Sequence, residues 1–436
     1  MTARFSRSAF ACALVFVLAL ISIAQMEAQT ITLRRSVEAA LSHSGVVIPQ
    51  IEEARTYAAY REARGAYLPR VVLGSGLGGS YGFPLSLENA APSLFNVTTQ
   101  QVLYSPAQKA FVRAAKSSWE AGKLTTADQR DALVQDTVLT YLELNKWNQE
   151  IELLNTEVAS NQKIEIVEQQ RVKEGVDKPV ELDRARLATA RVRVRVAEAR
   201  GSADVMRLHL AQLTGLSAEE LSTVPDSVPG LPEFKEEENL GAKAIESSPA
   251  VKAAEQQAIS KRFSAEGEAK NRLPSFDLAG QYALLSNFNN YKTYIQNFQT
   301  HNATGGLVLR LPFFDATARA RAEQAKAEAI RGGRDAEEAK QRVSLETLRL
   351  QRTVQELAAS VEVSQLEYNL GQSELDAVEE RLKAQTGTLR DEQDARSKVE
   401  QLYNALIDGS LALDKAKVQL LRNTGELQQW ALSGRN

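Results

Sequence analysis

The sequence predicts a mainly α-helical chain with a small transmembrane β part. Three observations carry this. The 12 prolines leave two long gaps, 107–178 and 313–436, and an interior proline costs a helix about 3 kcal/mol. Narrow apolar seams run along both gaps. Four stretches of about 10 residues alternate apolar with small or polar side chains, the length that a tilted membrane strand needs.

The elements follow in chain order. Arg4 and Arg7 make a basic start, Ala9–Ala24 is nearly continuous apolar sequence, and Ser22-Ile23-Ala24 offers the small residues of a cleavage site. This predicts a secretory signal peptide over 1–24. It contains Cys12, the only cysteine, which lies inside the apolar stretch rather than at its end. Removing Arg4 and Arg7 takes the net charge from −3 to −5. A cysteine-free exported chain suits the oxidising periplasm or the outer membrane of a bacterium. No other stretch approaches the roughly 18 apolar residues of a transmembrane helix, so any membrane crossing falls to strands.

Composition narrows the function classes. With 436 residues, 43% apolar and 25% charged, the chain is not disordered. Its charge argues against general nucleic-acid binding. His43, His209 and His301 are far apart in sequence and show no metal-ligand spacing. Gly74–Gly82 lacks the helix that a phosphate-binding loop must precede. No catalytic, cofactor or metal set is expected.

The chain repeats itself at about 205–212 residues. Leu68-Pro69 recurs as Leu273-Pro274, Gly175 is paired with Gly387, and Leu210–Gly215 matches Leu420–Gly425. The segments are an N-terminal helix (25–69), a strand hairpin (70–105), a long-helix pair (106–215) and a proline-rich linker (216–238). A short helix (239–273), a second hairpin (274–313) and a second long-helix pair with tail (314–436) follow. The seams are Leu144, Trp147, Ile151, Leu154 and Val158, and Leu350, Val354, Leu357 and Val361, at coiled-coil spacing. Arg191–Val196 alternates like a strand, but its Ala/Glu/Arg flanks predict helix.

On the strand candidates, Val71, Leu73, Leu77, Tyr81 and Phe83 oppose small residues. Phe95, Val97 and Leu103 oppose Asn96, Thr98 and Gln100. Phe276, Leu278, Tyr282 and Leu284 oppose Asp277, Ala279, Gln281 and Ala283. Leu307, Leu309 and Leu311 oppose Gly306, Val308 and Arg310. Tyr67, Tyr81, Phe83, Tyr104, Phe313 and Phe314 at or near the ends suit interfacial girdles. Four strands have open edges, which a bilayer does not tolerate. Two copies would give eight strands and three would give twelve. A soluble sheet, in a periplasmic coiled-coil scaffold, is the alternative.

The motifs in this order resemble the TolC family of outer-membrane efflux proteins across the mature chain. They are Ile31-Thr32-Leu33 with Val37–Leu41, Ala66–Pro69, Gly175 with Leu182–Ala185, Leu311–Asp315 and Gly387-Thr388. The resemblance implies a homotrimer whose long α-helical coiled-coil tunnel continues into a 12-stranded β-barrel, four strands per chain. It implies outer-membrane lipid around the barrel, a periplasmic adaptor protein and inner-membrane pump as partners, and passive conduction without chemistry or cofactor. The exit duct of a type I protein secretion system is the alternative within this class.

It further implies a periplasmic aperture, for which Asp391, Glu392 and Asp394 are the candidates, and adaptor-docking turns at Gly175, Val176 and Asp177 and at Gly387, Thr388 and Leu389. The plain alternatives are acids favoured by a helix dipole and glycines that end helices. The chain departs from the family at His43-Ser44-Gly45, where Asn-Pro is common. Ala185 follows Gly175 by ten residues and Ala395 follows Gly387 by eight, so the second turn is expected about two residues shorter. Ser286–Asn302, with Phe288, Tyr291, Tyr294 and Phe298, would be extracellular.

Overall fold

A computed structural model describes residues 30–43, 47–75, 93–234, 239–285 and 299–434. The signal-peptide reading, Leu77, Tyr81 and Phe83, and the aromatics of 286–298 lie outside the described residues. The chain forms two compact units. One comprises the described residues within 1–47, 129–247 and 343–436, the other those within 48–128 and 248–342.

The second unit carries the sheet. Its strands are β2 (Arg70–Gly74), β3 (Ser93–Tyr104), β5 (Ser275–Leu285) and β6 (His301–Arg310), all antiparallel in the order β2-β3-β5-β6. The central β3–β5 pair joins the two predicted hairpins, with Val97 opposite Tyr282 and Gln100 opposite Ala279. Directly opposed residues share a face, so one face holds Leu73, Val97, Tyr282, Leu278, Leu307 and Leu309, largely exposed. The other holds Arg70, Gln100, Thr98, Asp277, Gln281, Thr304 and Arg310. The predicted alternation is therefore a real division of faces.

Helices α2 (Val47–Gly65) and α6 (Pro249–Lys270) belong to this unit, with the early parts of α3 (Pro106–Lys173) and α7 (Ala316–Lys383). Both long helices are capped at their start. Ser105 Oγ accepts from Gln108 N at 3.1 Å, and Asp315 Oδ1 accepts from Ala318 N at 2.9 Å. Each cap satisfies an amide that the first turn leaves unpaired. The helices pack through small residues. Ser260 Oγ donates to the Ala114 carbonyl at 2.8 Å, and a Cβ on Gly267 would lie 2.6 Å from the Phe111 ring.

The first unit holds α1 (Leu33–Ser42), the rest of α3, α4 (Pro179–Thr214), α5 (Leu240–Ser247), the rest of α7, α8 (Leu389–Thr424) and α9 (Leu427–Leu432). The short parallel pair of β1 (Thr30–Ile31) and β4 (Ser222–Thr223) belongs to it too. Its core gathers Leu33, Val37, Val134, Val138, Tyr141, Leu144, Leu210, Leu421 and Leu427. Both predicted seams are used. Leu154 packs with Val192, Val196 and Ala199, flanked by Trp147, Ile151 and Val158. Leu350 and Val354 pack with Leu240, Ala416 and Leu420, flanked by Leu357. Residues 191–196 are helical as expected. Val192 and Val196, four apart, are buried, while Val194 is 57% exposed, a helix period rather than a strand period.

The repeat is regular in its long elements. Helices of 68 and 36 residues recur at a constant offset of 210, and the second of each pair ends on a left-handed glycine, Gly215 or Gly425. Three segments differ from their simplest reading. Residues 25–69 contain two helices, α1 and α2, and 239–273 also contains two, divided where Pro249 starts α6 behind the N-cap Ser248. The linker is no free tether. Val228, Leu231 and Phe234 pack on the core, and Ser227 Oγ accepts from Leu33 N at 3.1 Å.

Candidate functional site

The two helical turns that the sequence singles out lie at residues 174–178 and 384–388, each five residues long. They are built alike. Val176 N and Asp177 N donate to the Arg171 carbonyl, and Gly175 N to that of Val172. Thr386 N and Gly387 N donate to the Arg381 carbonyl, and Gln385 N to that of Leu382. The equivalence of Gly175 with Gly387 is thus corrected. Gly175 has φ 74° and its counterpart is Gln385, at φ 60°; Gly387 stands where Asp177 stands. The expected two-residue shortening is corrected with it. Gly387 is small for another reason, since a Cβ there would lie 3.2 Å from the backbone nitrogen of Leu382.

The first turn is locked by charge. The Arg171 guanidinium pairs with Asp177 and, chiefly by that hydrogen bond, holds its carboxyl below the ordinary range. Glu168, one helical turn back and largely buried, has its carboxyl pushed up by burial first and by the Asp177 charge second. Val176 is exposed beside this cluster.

In the second turn Thr388 and Asp391 form a capping box. Thr388 N and Oγ1 donate to Asp391 Oδ2 at 3.0 and 2.8 Å, and Asp391 N donates to Thr388 Oγ1 at 3.2 Å. The Thr388 hydroxyl is the main cause of the lowered Asp391 pKa. Leu389 opens α8; its side chain lies outside the described residues. Glu392 pairs with Arg396 at 2.9 Å, and Arg396 also reaches Glu379 at 2.9 Å. Asp394 is the freest of the three acids, 77% exposed and 3.8 Å from Arg390.

Sequence reasoning missed the polar ladder between α3 and α8. Arg422 donates to Gln135 at 2.7 Å, Lys415 pairs with Glu143 at 2.6 Å, and Lys146 pairs with Asp408 at 3.0 Å. Farther along, Glu400 faces Glu157, and its carboxyl is pushed up to about 8 by burial first and by Glu157 second, against Arg195 and Arg396. The rungs on α8 recur at seven or eight residues, a spacing that flanks a seam but does not name its partner. The three histidines have separate surroundings: His43 lies over Gly215, His209 meets Asp136 at 3.2 Å, and His301 meets the Tyr282 hydroxyl at 2.8 Å. Among the described residues no group of acids, histidines or cysteines is placed to hold a metal, and no helix is long and apolar enough to cross a membrane.

This fold is that of outer-membrane channels of known structure. A membrane protein from Pseudomonas aeruginosa matches with a TM-score of 0.75 and 19% identity, over 90% of this chain and 92% of that one. The CmeC outer membrane channel of Campylobacter jejuni matches at 0.73 and 16%, over 91% and 86%. The open-state MtrE outer membrane channel of Neisseria gonorrhoeae matches at 0.71 and 18%, over 91% and 89%. In sequence, residues 50–216 match the family described as outer membrane efflux protein, so the resemblance that the motifs imply is supported independently. A comparison with functionally curated proteins finds no match.

Proposed function

We propose that this chain is one subunit of a homotrimeric outer-membrane channel in a tripartite efflux system, exported by its signal peptide. It conducts substrates passively and performs no reaction of its own, the energy coming from an inner-membrane pump joined through a periplasmic adaptor. The family match over 50–216 and the channel fold support this reading.

One observation carries it furthest. Among the described residues the four-stranded sheet has two open edges, β2 and β6, and an exposed apolar face. An open edge in a bilayer leaves backbone groups unpaired at several kcal/mol each. β2 is parallel to β5 and therefore antiparallel to β6, so successive copies can close a wholly antiparallel barrel by pairing β6 of one with β2 of the next. Three copies give twelve strands, an even number as such barrels have. The exposed Leu307, Leu309 and Phe313 then face lipid.

In the same reading the turns at Gly175, Val176 and Asp177 and at Gly387, Thr388 and Leu389 receive the adaptor, and Asp391, Glu392 and Asp394 supply the aperture. Asp394 is the acid best able to act on passing ions, because the cap holds Asp391 and Arg396 holds Glu392. The test is reconstitution of detergent-extracted protein in a planar bilayer. Discrete conductance from a trimer is expected, and Asp394→Asn is expected to lower cation preference. A monomer that stays in the aqueous fraction and never conducts would overturn the reading in favour of a soluble periplasmic scaffold.

A further inference from the structure

The polar face of the sheet carries an unbalanced charge. Its described charged residues are Arg70, Arg310 and Asp277. Asp277 is spoken for: its side chain is only 4% exposed, and its Oδ2 accepts from Gln100 Nε2 at 3.3 Å and lies 3.4 Å from Arg310 Nη2. Among the described residues Arg70 has neither an ion pair nor a side-chain hydrogen bond. It lines a hollow of about 490 Å³ on this face, whose other polar lining residues are Thr98, Thr99, Gln100, Gln281 and Thr304. These are neutral hydroxyls and amides, able to donate to an acceptor and adding no charge.

The topology sharpens the point. β2 begins and β6 ends at the same end of the sheet. Arg70 is the first residue of β2 and Arg310 the last of β6, and both lie on the polar face. We propose that this hollow is a transit site for small oxyanions, with Arg70 as the binding cation and Arg310 of the adjoining copy beside it, so that the sheet section of the passage prefers anions. This rests on the channel reading, because closing β6 on β2 is what brings the two arginines together. A planar guanidinium holds carboxylate or phosphate oxygens through paired N–H donors. Arg70 itself is exposed to water, which keeps binding weak enough for release, as a conducting path requires.

The experiment uses the full-length protein in planar bilayers, with the reversal potential read in a KCl gradient and inorganic phosphate as the probe. Arg70→Gln is expected to lower the chloride-to-potassium permeability ratio on the order of tenfold, because one charge roughly 5 Å from the ion path in a watery medium shifts the two ions by about fourfold each in opposite directions. Asp277→Asn is expected to raise it. Millimolar phosphate is expected to reduce chloride current in the wild type and not in Arg70→Gln. A channel that conducts with the same permeability ratio and the same phosphate response in the wild type and in Arg70→Gln overturns the oxyanion site and leaves the channel reading intact. A preparation that never conducts overturns both.

Discussion

Replacing Tyr141 by Phe tests how the first unit is held together. Tyr141 sits on α3 with its side chain fully buried. Its hydroxyl oxygen lies 2.8 Å from the Ile31 carbonyl, 3.1 Å from that of Val224, 2.9 Å from Val224 N and 2.8 Å from Ser227 Oγ. One phenol thus fastens the N-terminal strand and the inter-repeat segment to the long helix. Burial raises its pKa, so the group stays a neutral phenol that donates as well as accepts. Phe keeps the ring and its packing and removes only the hydroxyl. The Val224 amide then loses its acceptor and the Ile31 carbonyl its donor in a dry site. Each such group costs about 1–3 kcal/mol, and two of them, partly relieved by Ser227, give a loss of about 2–4 kcal/mol. The assay is denaturant unfolding in detergent followed by far-UV circular dichroism, comparing midpoints at unchanged slope. A loss under about 0.5 kcal/mol would refute the view that this hydroxyl is a structural tie, since a buried amide without a partner costs more than that.

Three further outcomes are expected. Glu400, at about 8, binds its proton more tightly in the folded than in the unfolded chain. The stability that this group contributes is therefore fully present below pH about 4.5 and is lost as pH rises toward 8, by on the order of 1–2 kcal/mol once discounted for the water that reaches the site; Glu400→Gln should remove that part of the pH dependence of the unfolding midpoint, and an unchanged slope with pH would reject the acid pair. Gln385→Gly should stabilise the second turn by about 1 kcal/mol and Gly175→Ala should destabilise the first by a similar amount, because both positions are left-handed; amide hydrogen exchange of the turn residues reads both. Thr388→Ala should cost about 1 kcal/mol through loss of the cap on α8, visible as faster exchange of the first-turn amides, and equal rates in variant and wild type would count against it.

The polar ladder joins α3 to α8 through Lys415–Glu143, Lys146–Asp408 and the Glu157–Glu400 pair. Two rungs hold opposite charges, and the third holds two acids that attract only while sharing a proton. If the two long-helix pairs part when a pump complex assembles, this third rung is the cheapest to break at alkaline pH. Conductance that rises with pH in the wild type but not in Glu400→Gln would place the opening motion there.

Much of the molecule follows from local order in the sequence. Proline positions, the 3-4 spacing of the seams and the two-residue alternation of the strands act over a few residues, so the long helices, the seam residues Leu154, Leu350 and Val354 and the two faces of the sheet were all legible before any contact was known. The strength of the sheet's apolar face, exposed with open edges, also followed from alternation and strand count alone. Tertiary structure decided what depends on distant partners or on a backbone angle. Glutamine at φ 60° carries no sequence mark, so a glycine count paired Gly175 with the wrong residue and shortened a turn that is not short. Asp391 reads as a free acid until Thr388 closes the cap around it. Tyr141 meets Ile31 from 110 residues away and Ser227 from 86, and Asp277 takes a hydrogen bond from Gln100 and an ion pair from Arg310 on neighbouring strands. A hydrogen bond or ion pair of this kind is set by where two surfaces come to rest, and periodicity fixes only which surfaces those are.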